Sequence, residues 1–112
     1  MSTESEFVAL ADAALASIGA ALDAASERSD ADLDWSLNDG ILTIECDGGK
    51  IIVNRHVPNR ELWVAAKAGG FHFKRDAGAW RDTRSGEALP AVLARLLRAQ
   101  SGIEIAFELP SA

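Results

Sequence analysis

Three turn signals, Asn38-Asp39-Gly40, Asp47-Gly48-Gly49 and Gly69-Gly70, separate short runs of β-forming residues, and they constrain this chain more than any other feature. Turns this short reverse the chain into an antiparallel neighbour, whereas a parallel crossover needs a dozen or more residues. Leu33, Trp35 and Leu37 alternate with Asp34 and Ser36 as a first strand, and Ile41 to Cys46 forms a second. Lys50 to Asn54 is the third, Glu61 to Ala66 the fourth after an interruption at Pro58, and Phe71 to Phe73 the fifth. A sixth is expected around Trp80.

Helical periods bracket this run. From Phe7 onward Leu10, Ala11, Ala14, Leu15, Ile18 and Leu22 recur at three and four residues, a helix with one buried stripe. Thr3 followed by Glu6 fits a capping box at its start. Leu89, Val92, Leu93, Leu96 and Leu97 restore the same period, with Pro90 in the first turn and an end near Gly102. The tail Ile103 to Leu109 is apolar enough to pack back onto the protein. Helix, five or six consecutive strands and helix together predict an α+β fold: a two-layer sandwich with both helices on one face of an antiparallel sheet. The other face then looks at solvent and is the natural place for function.

At 112 residues with 48% hydrophobic content, the chain suits one domain spanning residues 1–112. No apolar run reads as the roughly 20 residues of a membrane span, and the acidic opening is unlike a leader, so a cytoplasmic protein is expected. The single cysteine, Cys46, reads as a small packed hydrophobe. The net charge of −6 is unevenly spread, because the first 47 residues hold eleven acids and one base while the remainder holds six acids and ten bases. Such a field disfavours nucleic acid and favours cations or basic protein surfaces.

Neither a zinc-ligand spacing, a phosphate loop nor a nucleophile with its base can be assembled from these residues. What stands out is a run of carboxylates. Asp12, Asp23 and Glu27 recur at eleven and four residues, which puts them on one stripe of the first helix, read as opposite its buried face, and Asp30, Asp32 and Asp34 continue it. Carboxylates are hard ligands suited to Mg²⁺, Ca²⁺, Mn²⁺ or iron, and an open array implies weak, exchangeable binding. Periodicity alone fits a merely solvated acidic face better. Alternation in the fourth strand sends Leu62 and Val64 to the core, hence Glu61 and Trp63 to the open face. There Trp63 is either a protein-contact anchor or a ring packed under a loop.

In order and spacing the chain resembles the frataxin family, in particular its bacterial CyaY-type branch. The residues that carry the likeness are Ser5-Glu6-Phe7 with Leu10-Ala11-Asp12, Asn38 to Ile44, Lys50 to Arg55, Pro58 with Leu62-Trp63, Lys67, Gly69 to Phe73, Trp80, and Arg84 to Glu87. The resemblance implies a non-enzymatic iron chaperone and regulator of iron–sulfur cluster assembly that docks to cysteine desulfurase and the scaffold protein. It would be a monomer able to form iron-dependent oligomers. Iron, as Fe²⁺ or Fe³⁺, would bind weakly at Asp23, Glu27, Asp30, Asp32 and Asp34, while Asn54, Trp63 and His72 would contact partners. Gly19-Ala20 and Ala24 stand where the family commonly has acids, and His56 and Glu61 where it has glutamines. The alternative is an iron-storing ferroxidase, although the converging Glu-x-x-His pairs of a di-iron site are missing from the sequence.

Overall fold

The computed structural model describes residues 3–28, 33–47 and 49–110. Helix α1 (Glu4–Arg28) is followed by β1 (Leu33–Asn38), β2 (Ile41–Cys46), β3 (Gly49–His56), β4 (Glu61–Ala66), β5 (Gly69–Asp76) and β6 (Ala79–Asp82), then α2 (Leu89–Ser101). The six strands pair in sequence order, every neighbour antiparallel. The expected sandwich is therefore formed.

Local chemistry accounts for most boundaries. The capping box closes as anticipated, with Thr3 N–H donating to Glu6 Oε1 at 3.2 Å and Glu6 N–H donating to Thr3 Oγ1 at 3.1 Å. Asp39 and Gly40 take positive φ of 48° and 79°, the mirror-image turn that joins twisted strands with two residues. Two strands are longer than expected. β3 runs on through Arg55 and His56, and β5 begins at Gly69, so the reversal lies at Lys67-Ala68 and not at the two glycines. Polar residues ended the strands too early in the sequence reading, since a sheet with one solvent face tolerates them there.

Helix α2 lacks a side-chain cap at Ala88, and Pro90 sits in its first turn. Glu87, one residue earlier, takes up a bidentate pair with Arg95 at 2.6 and 3.3 Å, and this hydrogen bond holds the Glu87 carboxyl below the ordinary carboxylate range. The helix ends on left-handed Gly102, whose N–H donates to Arg98 O at 2.9 Å. The tail returns as expected, with Ile105 and Phe107 buried.

One core lies between the helices and the sheet. Leu15, Ile18 and Leu22 of α1 and Leu89, Leu93 and Leu97 of α2 are fully buried, together with Leu42, Ile44, Ile51 and Leu62 from the strands. Contrary to the sequence reading, α1 is long and apolar enough to cross a membrane. Its many alanines supply that character, while its large side chains are spent on the sheet.

Helix α1 crosses the sheet diagonally. Near its start Phe7 meets Trp80 of β6 edge-to-face at 6.0 Å, and further along Gly19 lies against Trp35 of β1. A Cβ on Gly19 would come within 2.6 Å of Trp35 Cη2, and the ring cannot simply move, because Trp35 Nε1 donates to Asp23 Oδ1 at 2.7 Å. Gly19→Ala in an unconstrained helix would gain about 1 kcal/mol from propensity. Here overpacking, which costs roughly 1–3 kcal/mol, should win, so chemical denaturation is expected to show a net loss near 1 kcal/mol and altered near-ultraviolet dichroism of Trp35. A gain in stability would mean that the indole is not wedged.

Candidate functional site

The uncovered face of the sheet is built by alternation. With Leu42, Ile44, Ile51, Val53, Leu62, Val64 and Phe73 committed to the helices, the intervening side chains point outward. Register then aligns Ile41, Asn54, Trp63 and His72 in one row across β2 to β5. The three residues expected to contact partners, Asn54, Trp63 and His72, are thereby brought together as direct cross-strand neighbours.

Trp63 is half-buried and held on both faces. His72, directly opposite on β5, stacks at 4.4 Å between ring centroids with an interplanar angle of 8°. On the other side His56 stacks at 3.6 Å and 10°. It reaches Trp63 diagonally, since its own partner across the β3–β4 turn is Glu61. The indole N–H donates to Glu61 Oε1 at 2.8 Å, and His72 Nδ1 lies 3.6 Å from the same oxygen. Glu61 is only 8% exposed although it sits on the outward side, because the stack and the turn cover it. His56 Nδ1 is buried and has no hydrogen-bond partner among the described residues. The Trp63 ring is neither a free-standing anchor nor hidden under a loop: it is half-buried, stacked between two imidazoles and held at its N–H by Glu61.

The carboxylates expected to bind metal are placed differently. Asp23 and Glu27 are exposed on the last turns of α1, while Asp30 and Asp32 lie outside the described residues. Asp12 and Asp23 do not line the stripe farthest from the sheet. They flank the helix on its sheet side, where Asp12 pairs with Arg55 of β3 and Asp23 accepts from Trp35. Asp34 projects to the open face, opposite Glu45, which is 3.5 Å from Lys50. Asp23 and Asp34 therefore sit on different sides of the sheet. Among the described residues, no three His, Cys, Asp or Glu side chains converge to hold a metal ion. Cys46 is partly buried, its thiol donating to Gly49 O at 3.3 Å.

Sequence reasoning missed the imidazole stack and the acceptor for the indole. The register of the β3–β4 turn could have located both, because two residues of alternation beyond a His56–Glu61 pair put Trp63 diagonally next to His56.

A family model described as a frataxin-like domain matches residues 1–103. The chain is 50% identical over 104 residues to the iron–sulfur cluster assembly protein CyaY of Ralstonia nicotianae, covering 92% of each. It is 47% identical over 104 residues to the protein of that name from Cupriavidus metallidurans, covering 92% of this chain and 94% of the relative. A solved frataxin from Psychromonas ingrahamii superposes with a TM-score of 0.84 at 32% identity, covering 96% and 99% of the two chains. Trimeric yeast frataxin complexed with ferrous iron superposes with a TM-score of 0.73 at 26% identity, covering 91% and 88%.

The geometry around Trp63 makes an energetic statement. Trp63→Phe would preserve an aromatic ring between the imidazoles but leave the buried Glu61 carboxylate without its donor, at a cost of about 1–3 kcal/mol. Urea denaturation should show that loss, and adding Glu61→Leu should recover part of it. Unchanged stability in Trp63→Phe would mean that the indole N–H is not committed to Glu61.

Proposed function

The chain belongs to the frataxin-like family, and from that we propose that it serves iron–sulfur cluster assembly as a non-catalytic binding and regulatory module. The reading is of one domain working in the cytoplasm, as a monomer that can oligomerise with iron. Its docking surface for the scaffold protein is the row Asn54, Trp63 and His72. The observation that carries this reading is the double stacking of Trp63. A large amphipathic side chain on a solvent-facing sheet, already fixed by its neighbours, loses little conformational entropy when a partner covers it.

Iron is cargo in this account. Asp23, Glu27, Asp30, Asp32 and Asp34 attract Fe²⁺ or Fe³⁺ weakly, by an acidic field with hard oxygen donors instead of a closed cage. The same field steers the acid-rich half of the chain toward a basic surface on cysteine desulfurase.

Calorimetric titration with the scaffold protein tests the docking surface. Trp63→Ala, measured under conditions where the variant is folded, should weaken binding by about 2 kcal/mol, as interface hot spots do, which is roughly 30-fold. Equal affinity would remove Trp63 from the interface. For the cargo, Fe²⁺ added under nitrogen should perturb backbone resonances around Asp23, Glu27 and Asp34. Perturbation centred on His56 and His72 would move the iron site to the open face.

A further inference from the structure

The open face is electrically polarised, and its two edges carry opposite like-charged pairs. On the β1–β2 side Asp34 stands opposite Glu45. On the β5–β6 side Lys74 stands opposite Arg81, both exposed. Like charges directly across an antiparallel pair are destabilising, so each edge costs something in the free protein. Lys50 relieves the acidic edge through Glu45. The basic edge has no equivalent among the described residues.

Two of the three nearby acids are engaged elsewhere. Glu61 is buried and accepts from Trp63. Asp82 is nearly buried and its Oδ1 accepts from the backbone N–H groups of Arg84 and Ser85 at 2.7 and 3.2 Å. Asp76, exposed and two residues beyond Lys74 on the same face, makes no ion pair with Lys74 or Arg81 among the described residues and offsets their charge only in part. Arg81 spends one donor on Gly86 O at 3.1 Å, and its other donors are free of described partners. Beside this pair, Arg84 and His72 border a recess of about 140 Å³ with Thr83 and Gly70. The basic pair thus adjoins the Trp63 stack through His72.

We propose that the β5–β6 half of the open face receives a carboxylate-bearing protein surface, with Lys74 and Arg81 as the ion-pairing residues and Arg84 at the rim. The inference rests on the docking reading above and deepens it: the acidic patch belongs to the same partner that seats on Trp63, and the polarity of the face sets the orientation in which it seats. A polyanion such as nucleic acid fits less well, because the chain carries a net charge of −6 and the same face holds Asp34 and Glu45. A partner of mixed charge satisfies both edges at once.

Lys74→Glu tests the patch, with Lys74→Gln as the milder variant that removes the charge without adding a carboxylate beside Glu61. The reversal places a carboxylate opposite Arg81 but also near Glu61 and Asp76, so binding is compared where the variant is shown to be folded, and affinity for the scaffold protein should fall about tenfold at low salt. The gap between wild type and variant should narrow in 0.5 M salt, and Arg81→Glu should behave alike in binding. Wild-type affinity in both reversals, with Trp63→Ala still defective, would overturn this inference and leave the docking reading standing. Failure of the wild-type chain to bind the scaffold protein at all would remove both. If sedimentation showed instead that Lys74→Glu abolishes self-association, the patch would belong to a second copy and the proposal would fall.

Discussion

Two helices can cover only one face of a sheet whose six strands follow one another without a crossover, and everything else in this structure depends on that constraint. The turns are too short to carry a helix between strands, so helical cover comes only from the two ends of the chain. Both helices converge on one face because a second uncapped core would leave each helix half-buried. The contact of Gly19 with Trp35, locked by the Asp23 hydrogen bond, sets how closely α1 can lie along β1. Asp12 and Arg55 tie the same helix to β3. Acids on the flank of α1 thus hold the helix to the sheet as well as contributing to the negative field.

The exposed face inherits a different problem, since a large indole on a solvent-facing sheet either collapses onto its neighbours or presents an unordered surface. Here the two imidazoles and the buried carboxylate hold it in one orientation. That arrangement spends a buried acid, and a His56 Nδ1 without a partner among the described residues, on preorganisation. Such costs are expected where a surface is shaped for contact and not for stability alone.

Much of this was legible in the sequence. Apolar periods of 3.6 and 2 gave the helices and strands, and Thr3-Glu6, Asp39-Gly40, Pro90 and Gly102 marked boundaries that the backbone confirms. The alternation of Leu62 and Val64 placed Trp63 on the correct face. Side-chain partnerships between distant elements were not legible. Asp12 and Asp23 looked like free members of an acidic stripe, because nothing local shows that Arg55 and Trp35 arrive beside them from 43 and 12 residues away. Glu61 looked exposed for the same reason: its cover comes from a ring stack assembled across three strands.

The central claim is that the open face, organised around Trp63, is the surface this chain offers to the cluster-assembly machinery. Mapping the complex with the scaffold protein by NMR tests it most directly. The account expects the largest changes at the Trp63 indole N–H, the Asn54 side-chain amide and the His72 ring, with the amides of α1 and α2 left near their free positions. Changes concentrated on the outer surfaces of the helices, with the Trp63 indole resonance unmoved, would contradict it.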